Sequence, residues 1–387
     1  MLLIKNARIY TVAGPVIENG SIVIENGKIK EIGENITINE TACTEVINAE
    51  GKIITPGFID AHSHLSLWES SIGFEGSDGN EATHPITPHM RGLDAINPFD
   101  ITFEEARNAG VTAVAAGPGS ANVIGGTFVA IKTFPAKRAD ELVIKDPVAM
   151  KCAFGENPKR FYGTQGKTPS TRMATAGLFR ETLFKAKQYL YKLENAKEAS
   201  KKPKYDAKLE ALIPVLKREI PLKAHAHRAD DMFTALRIAK EFNLKITLEH
   251  ATEGHLIADE LAKENVYCIV GPSFGHKSKF ELQNLTFDTP AILHKAGIKI
   301  AITTDAPVIP LARLPLMAGI AVEHGLNEDQ ALKAITINAA EAVGIEDRVG
   351  SLEVGKDADL VIFNNKPFNT NSKVYMTIIN GKVVYKK

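Results

Sequence analysis

The chain changes its pattern of apolar and polar positions twice, and its two ends share one pattern. Near the start, LIKNARIYT and SIVIENGKIKEIG alternate or cluster β-branched residues, with an Asn-Gly pair at 26–27. Asn-Gly supplies the positive φ angles that a two-residue hairpin turn requires, so this pattern predicts short antiparallel strands. The C-terminal stretch has the same character, with another Asn-Gly at 380–381. The two ends therefore predict one small β-sandwich built from segments 1–55 and 350–387 together.

The middle of the chain, segment 56–349, has a different rhythm. Short apolar runs alternate there with longer amphipathic stretches, which is typical of strand–helix units. Eight such runs are the number that a closed barrel uses, so we expect an α/β fold, a (β/α)8 TIM-like barrel. Segment 66–100 is rich in Gly, Pro, Ser and Thr, and so long a loop usually has a function or is mobile. The candidate strands are 57–62, 111–116, 127–133, 147–154, 221–227, 245–250, 266–271 and 299–304.

Composition and charge exclude several classes of function. Lys plus Arg (46) equals Asp plus Glu (46), so no overall field attracts nucleic acid or an anionic membrane. The three cysteines, Cys43, Cys152 and Cys268, are widely spaced and predict neither a disulfide framework nor a thiolate zinc site. The N-terminus lacks the apolar core of a signal peptide, and no run is long enough to span a membrane. We expect a cytoplasmic protein that acts on a small molecule, with homo-oligomerisation possible.

The first barrel strand ends in His62-Ser63-His64. Residues two apart on a strand point to the same side, so both imidazoles can reach one ion. A single His-x-His motif is as often structural as functional. Its position adds weight, because barrel enzymes have their active sites at the carboxyl ends of the strands.

Further imidazole and carboxylate side chains end other strands. His225 and His227 end the fifth strand, His250 ends the sixth and Asp305 follows the eighth. Each alone is most simply a core histidine or a helix-capping aspartate. Together, at one end of the barrel, they are the ligand types that Zn²⁺ and similar ions require. The pattern therefore predicts a divalent cation, most simply Zn²⁺, with one or two per chain.

Two longer motifs resemble those of a known family. TPGFIDAHSHL is similar to the first signature of the amidohydrolase superfamily, and GSLEVGKDADLVIF resembles its C-terminal return into the sandwich. The resemblance covers nearly the whole chain and points to imidazolonepropionase-related or prolidase-related members. It implies a distorted barrel, one or two divalent ions and hydrolysis or deamination at carbon. It also implies that the metal ligands are His62, His64, His225, His250 and Asp305.

The resemblance leaves one ligand ambiguous. Binuclear members have a bridging carboxylate from the third or fourth strand, either a glutamate or a lysine modified by CO₂. PVAMKCAFGENPKR offers Lys151 and Glu156, which strand alternation places on opposite faces. We favour Glu156, because the adjacent Gly155 lets backbone approach the ion. Lys151 is the alternative bridging ligand, and a mononuclear site with Glu156 on the surface is the third possibility.

The remaining candidate site residues are expected to serve the substrate. His227 shares a face with His225 and lies nearer the mouth, while His255 comes five residues after His250. Asn157 and Arg160 follow the candidate bridging glutamate and are suited to binding a substrate carboxylate.

The expected chemistry is activation of water for attack on a C–N bond. A divalent ion lowers the pKa of bound water towards neutrality. Asp305 is the predicted catalytic residue, which accepts that water's proton and returns it to the leaving nitrogen. The leading hypothesis is therefore an amidohydrolase acting on a small, possibly cyclic, amide. The alternatives are a prolyl or isoaspartyl dipeptidase, a deaminase of an amino-heterocycle and, outside enzymology, a catalytically dead scaffold.

Overall fold

The computed structural model describes residues 1–34, 36–70, 72–369 and 371–387. Its strands are β1 (Leu2–Ile9), β2 (Ile17–Glu25), β3 (Lys28–Gly33), β4 (Glu45–Asn48), β5 (Ile53–Pro56), β6 (Phe58–Ser63), β7 (Val111–Ala116), β8 (Ile124–Lys132), β9 (Val143–Ala153), β10 (Leu222–Ala226), β11 (Ile246–His250), β12 (Tyr267–Val270), β13 (Ile300–Ile302), β14 (Leu360–Phe363), β15 (Val374–Ile379) and β16 (Lys382–Lys386).

Its α-helices are α1 (Ile101–Asn108), α2 (Glu156–Gly163), α3 (Arg172–Asn195), α4 (Ala207–Glu210), α5 (Ile213–Leu216), α6 (Ala229–Phe242), α7 (Ala258–Leu261), α8 (Thr289–Lys295), α9 (Leu314–Glu323), α10 (Glu328–Ala334) and α11 (Ile337–Val343). Short 3₁₀ helices lie at Glu40–Ala42, Gly73–Gly76, Gly92–Ala95, Ala139–Leu142, Ala199–Lys201, Gly254–Leu256, Phe280–Leu282 and Leu311–Arg313. Within the described ranges, no helix combines the length and the apolarity needed to cross a bilayer.

The eight apolar runs of the middle segment are all strands, β6 to β13, and they form one sheet in chain order. The sheet is nearly closed into a barrel. Residues just after β13 reach β6, with Thr303 Oγ1 donating to the His62 carbonyl at 2.6 Å and His64 N donating to the Ala306 carbonyl at 2.8 Å. These bonds bring the ends of the first and last strands together.

The expected all-parallel barrel is wrong at one strand. β8 pairs antiparallel with both β7 and β9, whereas the other neighbouring pairs are parallel. Segments 117–123 and 133–142 connect β8 to its neighbours, and a right-handed helical crossover needs a dozen or more residues. The short connections make hairpins instead. The loop after β7 still lies at the same mouth as the carboxyl ends of the other parallel strands, because β7 itself runs parallel to β6.

The two ends of the chain meet in a second eight-stranded sheet. Its order is β16-β15-β14-β5-β1-β2-β3, with β4 paired to β1. β14, from the C-terminal segment, pairs antiparallel with β5, from the N-terminal one. The predicted joining of the termini is therefore observed, as one hydrogen-bonded sheet with its own apolar core that includes Ile4, Ile22 and Ile362.

Candidate metal centre and active site

The residues that the sequence pattern singled out converge at one mouth of the barrel. His62 lies in β6 and His64 one residue beyond it, while His225 lies in β10 and His250 ends β11. Asp305 follows β13, and every one of the four imidazoles is buried. Parallel strands deliver their carboxyl ends to one side of the sheet, which is why residues from distant stretches of chain meet here.

His62, His64 and Asp305 form the first group of potential ligand atoms. One ligand atom from each lies within 4.8 Å of the others. Asp305 Oδ1 is 3.1 Å from His64 Nε2 and 3.5 Å from His62 Nε2. Spacings of this size fit ligands that share one cation at the bond lengths typical of Zn²⁺.

His225, His227 and His250 form the second group. Their ligand atoms also lie within 4.8 Å of one another, and their ring centroids are 4.6 to 4.7 Å apart. The two groups are adjacent, because the His62 and His250 rings have centroids 5.1 Å apart. His227, expected to touch substrate, is thus brought within the candidate ligand set.

Lys151 lies beside both groups, and Glu156 does not. Lys151 is fully buried, and its Nζ is 3.0 Å from His62 Nε2. Glu156 begins α2, where its carboxylate accepts from Glu281 N at 3.3 Å and lies 3.8 Å from Arg160. The structure therefore brings the alternative bridging residue to the histidines and directs the favoured one towards a neighbouring loop, because the strand ends before Glu156 and the helix turns its side chain away.

The far sides of the imidazoles are held by hydrogen bonds. Nδ1 of His64 donates to the Gly117 carbonyl at 2.6 Å, and Nδ1 of His250 donates to the Gly271 carbonyl at 2.7 Å. His62 Nδ1 contacts a carboxylate oxygen of Glu249 at 2.5 Å. Such outer contacts fix the ring orientation and the tautomer of a metal-binding histidine, leaving Nε2 free to bind.

Burial sets the protonation of the site. It lowers the pKa of the His62, His225, His227 and His250 imidazoles well below the ordinary value, which favours the neutral form that binds metal. Burial also lowers the pKa of Lys151 to about 8.

Asp305 stays ionised in the same surroundings. Burial works to raise its pKa, but the neighbouring His250 and His64 outweigh that effect and lower the pKa to about 2. The carboxylate is therefore available as a ligand or as a proton acceptor at neutral pH.

Two of these residues have unusual backbone geometry. His250 has φ of 71° and Asp305 has φ of 53°, in the left-handed region that side chains other than glycine seldom adopt. Such conformations cost of order 1–3 kcal/mol each and are concentrated at functional sites. Here the two left-handed residues lie at the mouth of the barrel, His250 at the end of β11 and Asp305 shortly after β13.

A cavity of about 710 Å³ opens over the two groups. Of the residues predicted to serve the substrate, His227, Asn157 and Arg160 line it. His255 does not line it, because its Nδ1 lies 3.1 Å from both Thr252 O and Thr289 Oγ1, on the far side of the first turn after β11. The cavity walls combine apolar side chains with these few polar groups, as small-molecule sites usually do.

Comparison with known proteins accounts for this arrangement. The model of the amidohydrolase family matches residues 53–384. The chain belongs to this family. A crystal structure of an amidohydrolase from Thermotoga maritima MSB8 is 43% identical, with each chain covered in full and a TM-score of 0.96. A prolidase structure complexed with N-methylphosphonate-L-proline, 17% identical over both full chains with a TM-score of 0.61, shares the fold alone.

The curated relatives of this amidohydrolase are more distant. Amidohydrolase tasK of Hapsidospora irregularis is 27% identical over 98% of this chain, which spans only 42% of that protein's length. The imidazolonepropionase of Fusobacterium nucleatum is 26% identical over 96% of this chain and 93% of its own. Family membership and these relatives confirm a hydrolase that acts on carbon–nitrogen bonds.

The amidohydrolase site also contains residues that the sequence interpretation left unassigned. Glu281, nearly fully buried, places Oε1 3.6 Å from Nε2 of both His225 and His227. Lys279 lines the cavity and donates to Asn157 Oδ1 at 3.1 Å. Both come from the loop after β12, whose sequence offers no periodicity to show which way its side chains point.

One further unassigned residue, Lys223, carried a sequence signal that it shares with Lys151. Lys151 and Lys223 interrupt otherwise apolar runs, and they are direct register partners on β9 and β10. A charged residue inside a buried strand is rarely tolerated without a specific partner, so each lysine marked a polar layer inside the barrel.

Proposed function

We propose that the protein is a metal-dependent amidohydrolase that hydrolyses a C–N bond in a small, cyclic amide. The observation that carries the proposal is the pair of adjacent three-residue groups, His62–His64–Asp305 and His225–His227–His250. Four of these residues, His64, Asp305, His225 and His227, line a single cavity. The volume of the cavity, about 710 Å³, is typical of small-molecule sites and supports this proposal. So does the likeness along the full length to an imidazolonepropionase, whose name describes a cyclic substrate.

The donor set fits one or two divalent cations, most simply Zn²⁺. Among the residues that the structure describes, buried Asp305 Oδ1 and His225 Nδ1 have no hydrogen-bond partner. Burying polar atoms in this way costs free energy unless a ligand compensates for it. When bound, the cation would lower the pKa of a water molecule and polarise the scissile carbonyl.

Lys151 is the residue that we assign to the bridge between the two groups. Its low pKa leaves much of the amine neutral near pH 8, and a neutral amine can attack CO₂ and lose a proton to give a carbamate. The modified side chain would supply oxygen ligands beside His62, from which Lys151 Nζ is 3.0 Å away. Glu156 retains a role at the start of α2, where it binds the backbone of Glu281.

Asp305 is the proton carrier of the proposed reaction. Asp305 lines the cavity, and its low pKa keeps the carboxylate ionised at neutral pH. It is placed to accept a proton from the attacking water and to return that proton to the leaving nitrogen. Asn157 and Arg160 line the cavity and would contact the substrate from its wall.

We also propose that the terminal sheet, from segments 1–55 and 350–387, is a small β-sandwich domain beside the barrel of 56–349. Its separate apolar core supports this division.

Elemental analysis of the purified protein, followed by chelation and re-addition of Zn²⁺, tests the function. We expect about two ions per chain and hydrolysis of cyclic amides that is lost on chelation and recovered on re-addition. Release of ammonia from an amino-heterocycle, or of free amine from a dipeptide alone, would replace the cyclic-amide assignment. Hydrolysis that continues unchanged without metal would contradict the metal dependence.

A further inference from the structure

A buried ion pair lies immediately behind His62. Lys223 Nζ is 3.0 Å from Glu249 Oε2, and both side chains are almost completely shielded from solvent. Lys223 comes from β10 and Glu249 from the neighbouring β11. Neither residue touches the cavity, so neither is part of the proposed reaction itself.

The pair acts on one imidazole. Glu249 Oε2 is 2.5 Å from His62 Nδ1, and Thr247 Oγ1 donates to the other carboxylate oxygen. An ionised carboxylate accepts hydrogen bonds and cannot donate them, so the proton lies on Nδ1. The lone pair is then on His62 Nε2, which faces Lys151 Nζ at 3.0 Å and Asp305 Oδ1 at 3.5 Å.

His62 differs in this respect from the other imidazoles of the site. His64 and His250 donate to backbone carbonyls, and His227 contacts the hydroxyl of Thr252. Only His62, among these, has a carboxylate behind it. A charged acceptor makes a shorter and stronger hydrogen bond and raises the basicity of the opposite nitrogen.

Lys223 is the cation that lies against that carboxylate. A carboxylate shielded from water is strongly destabilised unless a cation and hydrogen bonds compensate for the lost hydration. Lys223 supplies the cation, and Thr247 and His62 supply the hydrogen bonds. The three strands β6, β10 and β11 are thereby joined through one polar contact in the barrel interior.

We propose that Lys223 and Glu249 are positioning residues which hold His62 with its proton on Nδ1, so that Nε2 is available to a divalent cation. This inference rests on the proposed metal dependence. It assigns a function to two residues outside the candidate ligand set.

The only tryptophan of the chain provides a direct readout. Trp68 packs edge-on against His64, with ring centroids 5.0 Å apart. Co²⁺ bound beside His64 should therefore quench Trp68 fluorescence, and a titration with Co²⁺ alone gives its affinity without any substrate. In the variant Glu249→Gln, the amide can donate to Nδ1 and so move the imidazole proton to Nε2. We expect Co²⁺ to bind about 10- to 100-fold more weakly than to the parent.

Two further variants separate positioning from stability. Lys132→Met removes a different buried lysine, one that pairs with Asp357 and Asp359 far from the site, and should lower stability without changing Co²⁺ affinity. The double variant Lys223→Met/Glu249→Gln removes both buried charges, so it should recover much of any stability lost by Glu249→Gln. Its Co²⁺ affinity should stay low, because the carboxylate is still missing.

The outcomes are distinguishable. If Glu249→Gln binds Co²⁺ as tightly as the parent, or if the double variant regains parental affinity, the positioning role is refuted and the proposed function stands. If the parent itself does not bind Co²⁺, the metal dependence fails, and this inference fails with it.

Discussion

At the scale of single residues, Asp305 is the side chain on which the proposed proton transfer depends. Asp305→Asn preserves the size of the side chain, but it replaces one acceptor oxygen by an amide group and removes the negative charge that accepts the proton. We expect kcat to fall by about 10²- to 10⁴-fold, the usual contribution of a positioned acid or base. Steady-state kinetics measures this, with thermal unfolding as the check that the fold survives. A variant that turns over at the parental rate would remove Asp305 from the mechanism.

Lys151 and Glu156 can be separated by their effects on bound metal. Lys151→Met keeps the length of the buried side chain and removes the amine, so we expect no more than one ion per chain and a large loss of turnover. Glu156→Gln should retain the parental metal content, because Glu156 contacts Glu281 and Arg160 and does not reach the histidines. Elemental analysis of the two variants, purified in parallel, decides between them. Loss of metal from Glu156→Gln alone would reinstate the glutamate bridge.

Alternation along a strand explains which residues could be predicted and which could not. It correctly paired His62 with His64. Lys151 and Glu156 also point in different directions, but for another reason, because β9 ends before Glu156 and α2 begins there. Alternation fails at Glu249 and His250, which are neighbours in sequence and yet both reach the site. The left-handed backbone at His250 makes this possible. A histidine in the sequence does not indicate such a conformation, because residues other than glycine seldom adopt it.

At the scale of elements, β8 shows where apolar patterning is insufficient. The pattern identifies a strand whichever way the chain runs, so eight strands could be predicted and the reversed direction of one could not. The length of segment 117–123 contained the missing information, because it is too short for a helical crossover. This short segment follows the carboxyl end of β7 and contributes Gly119, Ser120 and Ala121 to the cavity wall.

The long loop before α1 is attached to β8 at a glycine. Thr127 N donates to the Met90 carbonyl at 2.9 Å, and the neighbouring Gly126 has φ of 134°. A Cβ at position 126 would lie 2.5 Å from Met90 O. We therefore expect Gly126→Val to lower the free energy of unfolding by about 1–3 kcal/mol, and urea denaturation measures it.

A helical glycine gives the matched control for that variant. Gly177 lies within α3, where an added Cβ would meet nothing within 4 Å. Gly177→Ala should raise the free energy of unfolding by about 0.5–1 kcal/mol, because alanine loses less backbone entropy in a helix. If the two substitutions changed the free energy of unfolding equally, the contact between Gly126 and Met90 would not be what constrains position 126.

At the scale of the whole molecule, one buried lysine connects the barrel to the terminal sheet. Lys132, at the end of β8, lies 2.8 Å from an oxygen of Asp357 and 3.0 Å from one of Asp359, and it also donates to Asn380. Asp357 and Asp359 precede β14, and Asn380 follows β15. The contact therefore joins segments more than two hundred residues apart. Removing one partner of a buried ion pair commonly costs about 3–5 kcal/mol. We expect that loss for Lys132→Met, measured by urea denaturation at pH 7.

This junction also makes stability depend on pH. Burial works to raise the pKa of Asp357, but Lys132, Lys28 and Arg348 outweigh it and lower the pKa to about 2. An unfolded aspartate titrates near pH ~3.9, so the ionised group stabilises the fold above that pH. The contribution is lost as pH falls from about 4 through 2. The pKa of Asp359 is raised, because burial outweighs Lys132 there, and its titration therefore acts in the opposite direction.

Asp357→Asn isolates the first of these two effects. The difference in free energy of unfolding between the parent and Asp357→Asn should be largest above about pH 4 and should shrink as the solution is acidified towards pH 2. Urea denaturation at a series of pH values measures that difference directly, and the other carboxylates of the chain cancel because both proteins contain them. A difference that stays constant, or that grows on acidification, would mean that the Asp357 carboxylate is not held ionised by Lys132 and its neighbours. The barrel and the terminal sheet would then be joined by apolar packing and neutral hydrogen bonds at this junction, and Lys132→Met should prove correspondingly mild.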